Sequence, residues 1–459
     1  MGNITQWTQQ QGGASAGNFA YGYDAADRLL SVTLGSAVSG IPALTSYVYD
    51  AADNRISEQR DSLVLQSAYN NLNQLTSQSG GGFMSIQGTV SKAANVAVNG
   101  KASQLNTNTV PPVFSYNLPV VAGTNNVHVT ALDGSGNAST NNYQIVVAGG
   151  TASTSTYDAD GNLLSDGSRT YQWDAENRLI NIVQGANSYQ FVYDGLGRRV
   201  SETDNGTLTK QWVWMGTQMG EERSGSNTVT KRFYDQGEQV GGTAYYYAED
   251  HLGSIRELTD GTGAVQARYQ YDSYGRVTTT SGAMDADFQY AGMQALPAGF
   301  NGTLYRIYDS NSGRWLSRDP MGISNLKALD EAETNQGANL YEYVKNSPVG
   351  RIDPMGLQAG MANVDNMAAV QAVAAEASSS GTSAAAAASE AAAPEAAAQP
   401  ASEKCALRFA NKIAKDLGPK ARRAFHDAKA GADRTLQELK EDAQYIYSRF
   451  GGNRPSWMQ

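Results

Sequence analysis

The chain reads as mainly β: a run of β-hairpins with an inserted β-sandwich and a small α-helical C-terminal module. Three observations predict this. Gly at 48 and Tyr at 25, against 10 Phe, describe a turn-dense protein whose aromatic rings keep a polar end within reach of backbone or water. A short unit, an aromatic followed by Asp, a turn and a strand restart, recurs along both halves of the first 280 or so residues. Between its copies lies a stretch of strict apolar and polar alternation.

The repeated units are YDAADRLL at 23–30, YDAADNRI at 49–56, YDADGNLL at 157–164, WDAENRLI at 173–180, YDGLGRRV at 193–200 and YDSYGRV at 271–277, with YNNLNQL at 69–75 as a decayed copy. In each, the Asp is placed to accept hydrogen bonds from the amides of the turn that follows. Gly or Asn then takes the positive-φ position, and Arg with an aliphatic residue opens the next strand.

Residues 83–150 depart from the repeat. Alternating Val, Ile and Tyr runs and a DGSGN turn at 133–137 predict an antiparallel sandwich of about seven short strands. This insert resembles the small Ig-like modules of secreted and surface proteins, of the glucodextranase B type. Asp133 and Asn137 supply oxygens of the kind that bind Ca²⁺, but such a run is more often a turn. His128 lies in an alternating strand and is expected to face solvent.

Residues 305–357 read YRIYDSNSGRWLSRDPMG, an insert, then NLYEYVKNSPVGRIDPMGL. Two DPMG segments occur there, and composition changes completely after the second. Residues 358–402 are almost all Ala, Ser, Glu and Gln, too poor in large apolar groups to build a core, and read as a linker.

The hairpin units resemble YD repeats, and residues 305–357 resemble the core-associated segment of the Rhs family of polymorphic toxins, whose pattern the C components of insecticidal toxin complexes share. YYAEDHLGSIR at 246–256 is similar to a stretch found just upstream in that family. The resemblance divides the chain into YD repeats at 1–82, the Ig-like insert at 83–150, YD repeats at 151–290, the core-associated domain at 291–357, the linker at 358–402 and a variable helical module at 403–459. It implies a β-sheet spiralling into a hollow shell around the chain's own C-terminal segment, which is then cargo.

The resemblance further implies a cut between Leu357 and Gln358 by an aspartyl-type autoprotease. Two carboxyl groups held close cannot both ionise, so one serves as base and the other as acid. The matching residues are Asp319 and Asp353, with Arg314 as the charge partner. Without the resemblance, both Asp-Pro pairs read as turn formers. Arg318 and Arg351 read as local ion-pair partners. His251, beside Glu249 and Asp250, is a general-base or metal-ligand candidate whose plainer role is to fix a turn.

Residues 403–459 carry 12 Lys plus Arg against 7 Asp plus Glu, a formal +5 that leaves −15 for residues 1–402 out of a chain total of −10. A basic passenger in an acidic carrier is held by long-range attraction, and it also suits nucleic acid, membranes or acidic partners. Helical spacing places Leu407, Ile413 and Leu417 on one face, then Leu436, Leu439, Ala443, Ile446 and Phe450 on another after a capping box at Thr435 and Glu438. The polar cluster in this module fits a nuclease-like scheme, with His426 as base, Asp427 orienting it and Lys429 or Arg434 stabilising a phosphorane. Helix-surface ion pairs account for the same residues.

One cysteine, Cys405, excludes an intramolecular disulfide framework and a cysteine-based zinc cluster, and no cofactor or metal is expected. The N-terminus has no basic segment followed by an apolar one, and no run approaches the ~18 apolar residues of a membrane span. The expected setting is a protein made in the bacterial cytoplasm and secreted or displayed without a recognisable signal peptide. Its partners would be secretion machinery, an immunity protein and target-cell nucleic acid. GNIT at 2–5 resembles the interior of a repeat whose Tyr-Asp is missing, so the chain also fits a fragment of a longer protein. A non-catalytic surface protein that binds carbohydrate or a partner through the insert fits the same residues.

Overall fold

The computed structural model describes residues 2–11, 14–35, 40–320, 339–357 and 359–361. They form two fourteen-stranded sheets, one four-stranded sheet and a two-stranded ribbon. The second large sheet runs from Thr156–Tyr157 to Val277–Gly282, each strand antiparallel to the one before it in sequence. The mainly β, antiparallel expectation holds for these residues. The expected C-terminal helices lie outside them.

One turn geometry generates the hairpins. At Asp24, Asp50, Asp174, Asp194 and Asp272 the backbone N–H donates to the carbonyl four residues on, and the residue three on donates back to the Asp carbonyl. The Oδ1 atom of each accepts the amides two and four residues on, as Asp194 does from Leu196 and Arg198 at 2.9 and 3.0 Å. The third residue is left-handed: Asn177 at φ 60°, Gly197 at 75° and Gly275 at 85°. Asp27 and Asp53 also take that position, at 63° and 62°, where Gly or Asn was expected, because a short side chain that bonds locally tolerates it. The extra residue appears as a bulge in the following pair, which adds twist.

The aromatic before each Asp closes the previous unit. Tyr49 Oη donates to the Leu29 carbonyl at 2.7 Å, Tyr193 to Leu179 at 2.8 Å, Tyr271 to Ile255 at 3.0 Å, and Trp173 Nε1 to Leu163 at 2.7 Å. Each acceptor is the first residue after the preceding turn, next to the residue that the bulge skips. Tyr and Trp fill this position because Phe cannot donate. Tyr193→Phe is expected to lower stability by about 1–2 kcal/mol, the cost of a carbonyl left unpaired, read as a lower urea midpoint with unchanged slope.

In the first sheet the strand Leu75–Thr89 serves two layers: Leu75–Gly80 pairs with Leu63–Tyr69, and Gly81–Thr89 with Val113–Val121. The changeover needs glycine. Gly81 and Gly82 have φ of 107° and 121°, and a Cβ on Gly82 would lie 2.6 Å from Ser57 Oγ. Beyond it, Val113–Val121 faces Gly123–Asp133 and Ala138–Gly149 over a core that includes Val96, Phe114, Leu118 and Val127. Asp133 is a turn residue here: its Oδ1 accepts Ser135 and Asn137 amides, and its Oδ2 accepts Asn137 Nδ2 and Lys92 Nζ. His128 is exposed.

Residues 290–352 bring the two large sheets to one core. Tyr290, Tyr308, Trp315, Tyr343 and Ile352 pack with Leu29 and Tyr47 of the first sheet and with Leu252 and Tyr274 beside the second.

Candidate functional site: a buried aspartate pair on one arginine

The site is assembled from short pieces of the core-associated segment. The strands Ile307–Asp309 and Arg314–Trp315 pair, Leu316 N–H donates to Ile307 O at 3.0 Å, and Asp319 N–H donates to Leu340 O at 3.0 Å. The ribbon Arg351–Ile352 with Gly360–Met361 places the DPMGL turn alongside, where Tyr305 N–H donates to Met355 O at 3.2 Å.

Arg306 stands where these pieces meet. Its Nη2 lies 2.8 Å from Asp319 Oδ2 and 2.9 Å from Asp353 Oδ2, its Nε donates to the Gly356 carbonyl, and its guanidinium carbon sits 4.2 Å from the Trp315 ring centroid. Only 4 % of Arg306, 3 % of Asp319 and 2 % of Asp353 is exposed. Burial pulls the Arg306 pKa below its ordinary value, and the two carboxyl groups oppose that pull. A guanidinium nevertheless stays charged.

Asp353 also builds the turn that ends at Leu357. Its Oδ1 accepts the amides of Gly356 and Leu357, both at 2.9 Å. Gly356 is needed twice over, for a φ of 74° and because a Cβ would lie 2.3 Å from Thr303 Oγ1. The buried pair and the end of DPMGL are therefore one construction.

A cavity of about 20 Å³, room for roughly one water, opens between Arg306, Asp319, Asp353, Glu342, Val344 and Lys345. One wall is a left-handed turn without glycine: Val344, Lys345 and Asn346 have φ of 44°, 57° and 54°. Each such residue costs about 1–3 kcal/mol, and a β-branched Val there is an outlier. The turn is tied down by Asn346, whose Nδ2 donates to Asp53 O at 2.8 Å and whose Oδ1 accepts Tyr274 Oη at 3.2 Å.

Sequence reasoning placed Arg314 as the charge partner. The guanidinium that touches both carboxyl groups is that of Arg306, and Arg314 is engaged elsewhere, with Asn54 Oδ1 at 3.1 Å, Asn339 Oδ1 at 3.4 Å, the Asn73 carbonyl and the faces of Tyr69 and Tyr341. Arg314 thus clamps the segment to the turns of the first sheet. Arg318 hydrogen-bonds Tyr341. His251 Nε2 lies 2.7 Å from Val349 O and its ring meets Trp7 edge-on, a packing role. Gln358 and the cluster His426, Asp427, Lys429 and Arg434 lie outside the described residues. Among the described residues no helix is long and apolar enough to cross a membrane, which leaves spanning by strands untouched.

The Teneurin YD-shell family model matches residues 127–349. The tRNA3(Ser)-specific nuclease WapA of Bacillus spizizenii is 32% identical over 214 residues, 43% of this chain and 9% of that protein. Double-stranded DNA deaminase toxin A of Burkholderia cenocepacia is 27% identical over 237 residues, 42% of this chain and 16% of that protein. Toxin subunit YenC1 of Yersinia entomophaga is 26% identical over 230 residues, 42% of this chain and 22% of that protein. The chain thus spans less than a quarter of the length of each of these relatives. Together with the repeated hairpin turn and the core-associated segment, these matches support a YD-repeat, Rhs-toxin-like shell fold, related to the teneurin YD-shell and to the Rhs and Tc-toxin proteins.

Proposed function

We propose that the chain is a toxin carrier that cuts itself after Leu357 and so detaches residues 358–459 as cargo. The observation that carries this is Arg306 Nη2 within hydrogen-bonding distance of two buried aspartates, one of which also forms the DPMGL turn. One positive charge faces two carboxyl groups, so a single carboxylate is compensated. A proton on the other relieves the remaining charge, the condition for base and acid to work side by side. The carboxylate takes a proton from water as the water oxygen adds to the Leu357 carbonyl carbon. The acid protonates the departing nitrogen of Gln358.

The printed names of the relatives, two toxins and a nuclease, support delivery of a harmful passenger, as does the contrast between −11 on residues 1–357 and +5 on the module at 403–459, with −4 on the linker between them. A nucleic-acid target, an immunity protein, secretion machinery and a place outside the producing cell belong to the same proposal. Intact mass of the purified full chain beside Asp353→Asn tests it. Two products dividing at Leu357 in the parent and one species in the variant are expected; a single uncut mass in folded parent protein would remove the processing step.

A further inference from the structure

Glu342 is the third carboxyl group on the cavity that Asp319 and Asp353 share. Its backbone bridges to Arg314, and the left-handed turn of Val344, Lys345 and Asn346 begins two residues later. Its Oε2 accepts Asn346 Nδ2 at 3.4 Å, a long contact that satisfies a carboxylate poorly. The groups around it are Asp53 and Arg28 from the first-sheet turns, Arg314 from the GRW strand, Lys345 from its own turn, and Arg306, Asp319 and Asp353 across the cavity.

Charge counting is decisive. Three carboxyl groups line the cavity with two cations, Arg306 and Lys345. Arg306 is spent on the two aspartates, while Lys345 is partly exposed and free to be solvated. If all three acids ionised, two negative charges would be left over beyond the one Arg306 compensates, and holding them in a largely buried cavity is costly. One proton stays on the aspartate pair and a second on the third carboxyl group.

We propose that Glu342 holds that proton at neutral pH and supplies it, through the cavity, to the Asp319 and Asp353 pair, making it a positioning residue that sets the upper pH limit of processing. This rests on the self-cleavage reading. Burial, reinforced by Asp53, raises the Glu342 pKa to about 7, against the opposing pull of Arg314, Lys345 and Arg28. Over the cycle one water is consumed. Its oxygen and one proton end in the new Leu357 carboxyl group, its other proton replaces the one given to the departing amine, and Glu342 is again protonated.

The test is the pH dependence of cleavage on refolding full-length chain from denaturant, followed by intact mass between about pH 5.5 and about pH 8.5. In the parent the rate falls above about pH 7, approaching tenfold per pH unit, as Glu342 loses its proton. Glu342→Gln, always neutral, can neither titrate nor deliver a proton: its rate is lower, and the falling limb near pH 7 is absent. Glu342→Asp keeps a titrating carboxyl and keeps a falling limb, which covers the case in which Gln does not refold. A Gln variant that follows the parent's limb, or an Asp variant that lacks one, overturns the role of Glu342 while cleavage itself, checked by Asp353→Asn, stands. A parent that never cleaves at any pH sinks the processing reading, and this inference with it.

Discussion

Arg306→Met is expected to abolish cleavage after Leu357 and to destabilise the described part of the chain by about 3–5 kcal/mol, as removing one partner from a buried ion cluster does. The size follows from what one side chain does. It touches Asp319 Oδ2 and Asp353 Oδ2, donates to the Gly356 carbonyl and covers Trp315, all with 4 % exposure. Met replaces the packing against Trp315 and none of the rest, leaving two buried carboxyl groups facing each other. Arg306→Lys separates charge from geometry. A single ammonium keeps the charge but lacks the planar fork that reaches two carboxyl groups and a carbonyl together, so Lys should recover part of the stability and little of the cleavage. Urea denaturation and intact mass on the same samples read both. Full cleavage in Arg306→Met would remove Arg306 from the mechanism and leave the aspartates to be judged by Asp353→Asn alone.

Why Arg306 escaped sequence reasoning, while Asp319 and Asp353 did not, is physical. The aspartates sit in two DPMG segments whose duplication is visible in the letters. Arg306 is one Arg among several in residues 305–318, and what singles it out is a burial that only the paired strands create. The GRW motif drew the choice to Arg314, which turned out to grip Asn54, Asn73 and Asn339 from three separate turns. The hairpins were legible because their determinants are local: an Asp, its following amides and a residue that tolerates positive φ. Even there Trp214, without an Asp after it, donates to the Arg199 carbonyl at 2.7 Å as the Tyr residues of the repeats do, a role that only the fold reveals. Glu342 carried no signal at all, since its meaning depends on a cavity formed by Asp319 and Asp353 from either side in sequence.

Tyr308→Ala carries the second large effect and asks whether the aromatic core merely holds the fold or also holds the site. Tyr308 is fully buried, with ring centroids 4.3 Å from Tyr343, 5.5 Å from Trp315 and 6.3 Å from Tyr290, and its Oη donates to the Tyr274 carbonyl at 2.8 Å. Losing the ring should cost about 3–5 kcal/mol, because the neighbours belong to several elements and cannot all collapse into the space. Tyr308→Phe keeps the ring and loses the hydroxyl, for about 1–2 kcal/mol, the unpaired Tyr274 carbonyl. Arg306 is only two residues before Tyr308, and Trp315 packs on both side chains. A loosened ring cluster therefore displaces the guanidinium from its two aspartates, and displacements of that kind cost far more in rate than in stability. At temperatures where the Ala variant is still folded by circular dichroism, its cleavage should already be slowed at least tenfold, while the Phe variant cleaves like the parent. Equal cleavage rates in Ala and parent would mean that Arg306 is held by its own ion pairs, its bond to the Gly356 carbonyl and the two hydrogen bonds between its backbone and Thr303 Oγ1 alone, with the aromatic core contributing stability and nothing more.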